Sequence, residues 1–143
     1  MAKFFLSSHG HFASGIKSSV GILLGEVSSG NLTVFDAYVD ERSLEAELDA
    51  FFDQIGEGEQ AILLSDLYGG SVNNTMYTYL TRPNTTLIAG VNLALVIELL
   101  VLNKEFSPDE LEEIVGQSRE AMRVVTLEQD AVNGSNDEEN DLF

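Results

Sequence analysis

The chain has 143 residues, 44% of them hydrophobic and none of them cysteine; since a domain takes ~100 to 150 residues, one domain with its own core fills this length. The lack of cysteine excludes thiol catalysis, cysteine-held zinc, iron–sulfur clusters and a disulfide framework, and no stretch supplies the ~20 uninterrupted apolar residues of a membrane span. Seven Lys and Arg against 24 Asp and Glu give a formal net charge of −17, a field that favours solubility and repels a nucleic-acid backbone. The apolar start Met1 to Leu6 is too short for a signal peptide, so the expectation is a cytoplasmic protein that binds no nucleic acid.

Continuous apolar runs alternate with 3.6-residue spacing, the pattern of an α/β fold. The first strand is expected at Lys3 to Ser7, before a helix with Phe12, Ile16, Val20 and Leu23 on one stripe that ends at Gly25. The second runs from Leu32 to Tyr38, followed by a helix carrying Leu44, Leu48, Phe51, Phe52 and Ile55 and stopped by Gly56 and Gly58. The third covers Ala61 to Ser65; after Gly69-Gly70 a helix aligns Val72, Met76, Tyr79 and Leu80 until Arg82-Pro83-Asn84 breaks it. The fourth, Thr86 to Ala89, leads through Gly90 to a helix capped by Asn92 with Leu95, Val96, Leu99 and Leu100 in its body.

Ser107-Pro108-Asp109-Glu110 then combines an N-cap serine, a proline at the first helical position and an acid three residues after the cap, which together satisfy or avoid orphan amides. This last helix is expected to bury Leu111, Ile114, Val115, Ser118 and Met122, and a β-prone run, Arg123 to Leu127, follows it. The whole reads as a flavodoxin-like open sheet of four parallel strands, order 2-1-3-4, with helices on both faces. From Glu128 onward the acids Glu128, Asp130, Asp137, Glu138, Glu139 and Asp141 occur without Lys or Arg, a composition that cannot offset its own ordering entropy. A domain over 1–127 and a flexible acidic tail over 128–143 are therefore expected.

The chemistry-bearing residues gather at strand ends. In open parallel sheets ligands sit at the carboxyl ends of strands where strand order reverses, between the first and third strands of this type of sheet. His9 and His11, the two histidines of the chain, follow the first strand, and Asp66 follows the third, so His9 and Asp66 are expected to face each other. Gly69, Gly70 and Ser71 open the next helix; consecutive glycines admit close approach, and backbone amides there favour an anion without Lys or Arg. A glycine pair after a strand is often only a turn, and a lone Asp there is often only a cap; their joint placement with His9 carries the functional reading.

Three segments, Phe5-Leu6-Ser7-Ser8-His9-Gly10-His11-Phe12-Ala13, Leu63-Leu64-Ser65-Asp66-Leu67-Tyr68-Gly69-Gly70-Ser71 with Asn74, and Ile88-Ala89-Gly90-Val91-Asn92-Leu93, resemble the IIA domain of mannose-family permeases of the bacterial phosphoenolpyruvate-dependent sugar phosphotransferase system. The resemblance runs over residues 1 to about 127. It implies that His9 is phosphorylated by the histidine-phosphocarrier protein and passes the group to the IIB component, with Asp66 in support and Gly69, Gly70 and Ser71 around the phosphoryl group. It also implies indirect association with membrane permease subunits, no cofactor, and a homodimer in which the segment Arg123 to Leu127 crosses to the partner as an antiparallel edge strand. The chain departs from the family pattern at Val72 and Ala94, where proline is frequent, at Tyr68, where Trp or Phe is common, and at His11, read as an exposed first-turn residue. The competing readings are a metal-dependent hydrolase with His9, His11 and Asp66 as ligands, and a regulatory module in which phosphorylation is only a signal.

Overall fold

The computed structural model describes residues 1–128. Its elements are β1 (Ala2–His9), α1 (Phe12–Leu24), the single turn α2 (Glu26–Ser29), β2 (Leu32–Ala37), α3 (Leu44–Asp53), β3 (Gln60–Ser65), α4 (Ser71–Tyr77), a 3₁₀ turn (Thr78–Thr81), β4 (Thr85–Ala89), α5 (Leu93–Leu102) and α6 (Pro108–Glu120). The four strands form one parallel sheet in the order β2-β1-β3-β4, as the sequence predicts.

Both faces of the sheet are covered, and the two-residue period of the strands sorts the core. Phe4 and Leu6 of β1 and Ile62 and Leu64 of β3 pack on one side with Ala13, Ile16 and Val20 of α1, Leu99 of α5 and Leu111 of α6. Phe5, Ala61 and Leu63 point the other way, into Leu48, Phe51 and Phe52 of α3 and Val72 and Met76 of α4. Because β1 and β3 are central, both sides of each strand are buried, which is why they read as continuous apolar runs.

Polar side chains hold the connections. Ser107 accepts from the Glu110 amide while the Glu110 side chain accepts from the Ser107 amide, so the expected capping box forms at α6. Asn92 caps α5 by accepting from the Leu95 amide, and its own amide donates to the Ser118 carbonyl at 2.7 Å, fastening α6 to the α5 start. Buried Gln60 does the same for the α5–α6 connection, donating to and accepting from the Phe106 backbone.

Several expectations are corrected. β1 extends two residues past Ser7, so His9 ends the strand instead of following it. β2 stops at Ala37, because Tyr38 turns to φ +66° and leaves the ladder. The helix after Gly70 tightens into a 3₁₀ turn at Thr78, which leaves Leu80 exposed. Phe12 and Met122 are exposed as well, each lying at the end of its helical stripe. Residues 123–126 form no strand within the chain and 127–128 are helical; the acidic tail, apart from Glu128, lies outside the described residues.

Candidate functional site

Strand order reverses between β1 and β3, and the ladders bring their carboxyl ends level: Ser7 lies opposite Ser65, and His9 opposite Ala37. Beyond these ends the chain must turn sharply. Gly10 does so at φ +61° with its amide on the Ala37 carbonyl, while the Ser8 hydroxyl accepts from the Ala13 amide at 2.7 Å and so caps α1 from outside the helix. His9 is thereby held between a completed strand and a capped helix.

Asp66, the first residue after β3, meets His9 twice: its Oδ2 accepts from the His9 backbone amide and from imidazole Nδ1, both at 2.9 Å. Burial pushes the Asp66 carboxyl up, but the two bonds from His9 and the attraction of its ring outweigh that and leave it below the usual carboxylate range. An ionised carboxylate only accepts, so Nδ1 carries a ring proton, and in the neutral imidazole Nε2 then carries the lone pair. That lone pair faces the Ser71 hydroxyl at 3.2 Å. Ser71 also touches the phenol of Tyr38 at 2.6 Å, whose ring centroid is 5.3 Å from that of His9.

The two glycines act differently. Gly69 has φ +77°, which makes the turn possible. Gly70 has φ −73°, a value any residue adopts, but a Cβ there would lie 3.3 Å from the Leu67 carbonyl oxygen and 3.4 Å from Cε1 of His9. Its amide donates to the Leu67 carbonyl and closes the turn. Gly70 thus supplies clearance for the imidazole itself.

His11 is the N-terminal cap residue of α1, with its side chain 75% exposed. Its Nδ1 donates to Oδ2 of Asp36, which also accepts from the Ser14 hydroxyl, while Asp36 Oδ1 accepts from the Ser14 amide. Burial of Asp36 is again outweighed by these bonds, so its carboxyl lies below the ordinary range. The two imidazoles therefore belong to two separate carboxylate pairs, and the triad His9, His11, Asp66 does not assemble as a ligand set; among the described residues no group of three or more His, Asp or Glu is arranged to hold a metal. Asp36 and Tyr38 escape the sequence reading although the signal was present: both lie at the carboxyl end of the strand beside β1.

Among the described residues no helix is long and apolar enough to cross a membrane. The family model "PTS system fructose IIA component" (EIIA-man) matches residues 3–116. The chain is 25% identical over 140 residues to the PTS system fructose-specific EIIA component of Bacillus subtilis strain 168, covering 95% of this chain and 94% of that one. Two solved structures superpose with similar coverage. One is a candidate permease of the phosphoenolpyruvate-dependent sugar phosphotransferase system from Klebsiella pneumoniae (TM-score 0.77, 29% identity, 86% of this chain and 90% of that one). The other is the mannose/sorbose-specific IIA subunit from Enterococcus faecalis (TM-score 0.74, 27% identity, 88% and 96%). The fold, the strand-end His–Asp pair and a family match across most of its length agree: this chain belongs to the EIIA-man family and is a IIA component of the sugar phosphotransferase system.

Proposed function

We propose that His9 is the phosphoryl carrier of this component, taking the group from the histidine-phosphocarrier protein and passing it to a histidine of the IIB component. The observation that carries the reading is the Nδ1–Asp66 bond at 2.9 Å, which keeps the proton on Nδ1 and directs the Nε2 lone pair outward. In the forward step Nε2 forms a bond to phosphorus as the donor's nitrogen–phosphorus bond breaks, the bonding pair returning to the donor imidazole. The acceptor ring becomes cationic while Nδ1 keeps its proton, and the Asp66 carboxylate faces that charge. Transfer of this kind depends on positioning and electrostatics, which Ser71 supplies by donating to a phosphoryl oxygen, and Gly69 and Gly70 supply by shaping the turn beside the ring.

Exposed Phe12, Tyr38, Leu67 and Tyr68 adjoin the site in sequence or contact and offer an apolar rim to a protein partner. The reading places the chain in the cytoplasm, linked through IIB to membrane permease subunits. The domain spans 1–127, and the working unit is a homodimer. β4 is an edge strand beside a groove of about 580 Å³ lined by Leu87, Ile88, Leu111 and Val115, and exposed Val124, Val125 and Leu127 follow α6; unpaired edges are normally covered. The direct test is incubation with phosphoenolpyruvate, enzyme I and the phosphocarrier. One acid-labile, base-stable phosphoryl group is expected, abolished by His9→Ala and kept by His11→Ala; labelling that follows His11 instead would overturn the assignment.

A further inference from the structure

Tyr38 adopts φ +66°, a conformation that a bulky residue takes only when the surroundings impose it and that concentrates at functional sites. The residue is 65% exposed, so core packing does not account for the strain. What the conformation achieves is contact: the phenol reaches Ser71 at 2.6 Å and the ring lies against His9 at 5.3 Å with a 41° tilt.

The directions of the bonds follow from the donors and acceptors present. In the neutral ring with its proton on Nδ1, Nε2 can only accept, so the Ser71 hydroxyl must donate to it. A hydroxyl has one proton, so toward Tyr38 the Ser71 oxygen must accept and the phenol must donate. The four residues form one directed chain, Tyr38 to Ser71 to His9 to Asp66, and each donated bond strengthens the next.

We propose that Tyr38 is a positioning residue for phosphoryl transfer at His9, acting through the Ser71 hydroxyl. In the resting state that hydroxyl covers the nucleophilic lone pair. When the nitrogen–phosphorus bond forms, the pair is consumed, and the Ser71 proton swings to a phosphoryl oxygen while its oxygen stays anchored on the Tyr38 phenol. The anchor keeps Ser71 oriented through the exchange, so no new geometry has to be found in the transition state. The inference rests on the reading of His9 as the acceptor, but the hydrogen-bond chain also exists without it.

Phosphoramidate, a small-molecule donor to histidine, tests the idea without a protein partner: its nitrogen is protonated near neutral pH, so as Nε2 bonds to phosphorus the nitrogen–phosphorus bond breaks and the pair leaves on nitrogen as neutral ammonia. Tyr38→Phe keeps the ring and removes the hydroxyl; its rate of His9 phosphorylation is expected to fall about tenfold, corresponding to ~1.4 kcal/mol. Ser71→Ala falls at least as far, and the double variant is no slower than Ser71→Ala alone, because Tyr38 works through Ser71. In protein carrying ¹⁵N-histidine at alkaline pH, the His9 Nε2 resonance of Tyr38→Phe moves toward that of an unbonded imidazole nitrogen. Losses that add in the double variant, or an unchanged rate in Tyr38→Phe, overturn the proposal while leaving His9 as acceptor. Absence of phosphorylation of the wild-type chain by both phosphoramidate and the phosphorylated phosphocarrier overturns the carrier reading instead, and an unshifted Nε2 resonance in Tyr38→Phe overturns the hydrogen-bond chain independently.

Discussion

Replacing Asp66 by Asn removes one charge from the site while its shape dictates where the new atoms go. Two donors, the His9 amide and Nδ1, converge on Oδ2, so the amide oxygen of Asn takes that place and the Nδ1 proton is retained. The cost is then the loss of a negative charge opposite a ring that becomes cationic. At about 4 Å between charge centres that attraction is ~1 kcal/mol in water and ~4 kcal/mol at an effective dielectric constant of 20. With side chains 44% exposed for His9 and 15% for Asp66, the site lies between these limits, and ~2.7 kcal/mol corresponds to a rate loss of ~10²-fold. The Asn NH₂ falls where Oδ1 is buried with no hydrogen-bond partner, stranding donors at ~1–3 kcal/mol of stability. Rapid-quench measurement of transfer from the phosphorylated phosphocarrier at saturation, with thermal unfolding in parallel, reads both effects. An Asp66→Asn protein that accepts phosphate at the wild-type rate would show that the carboxylate plays no electrostatic part.

Gly70→Ala places a methyl group 3.4 Å from Cε1 of His9 and 3.3 Å from the Leu67 carbonyl, so the ring or turn must give by a few tenths of an ångström; phosphorylation should slow by about tenfold with the fold intact by circular dichroism, and an unaffected rate would mean that the ring has slack. Truncation after Asp130 should leave a dimer in sedimentation, whereas truncation after Met122 should give monomers or aggregates; a full-length monomer at micromolar concentration would defeat the strand-exchange reading. Asp36 and Asp66 both have carboxyls held below the usual range, so their contribution to stability is complete above the unfolded value of ~3.9 and disappears as pH falls through the lower folded values. Urea unfolding stepped from pH 7 to pH 3 should therefore show a steeper loss for wild type than for Asp36→Asn, and equal slopes would contradict it.

The strands were legible in the sequence as apolar runs with polar residues at their carboxyl ends, and their order and the His9–Asp66 pairing followed from the general rule for flavodoxin-like sheets, in which strand order reverses between the first and third strands. Helix starts with side-chain caps, at Asn92 and Ser107, were legible from local signals, since cap and first turn lie within four residues of each other. What was hidden depended on neighbours distant in the chain. Met122 continues the apolar stripe of α6, yet α6 ends at Glu120 and the side chain is exposed; periodicity marks a face but not how far the opposing surface extends. The four-residue α2 has too little length to show any period.

Tyr38 is the most instructive of these residues. As an aromatic at the end of a β-prone run it invites inclusion in the strand, and its propensity argues for that. The ladder decides otherwise: once His9 pairs opposite Ala37, the next residue of β2 stands beside the end of β1, where the Gly10 amide takes the Ala37 carbonyl and the ladder ends. From there a turn to positive φ carries the phenol to Ser71, which comes from the far side of β1 after β3. A hydroxyl from β2's end, an imidazole from β1's end and a carboxylate from β3's end can converge only because β1 is flanked by both other strands. The reversal of strand order that marks the crevice also makes it three-sided, and the third side is the one that a reading confined to β1 and β3 leaves out.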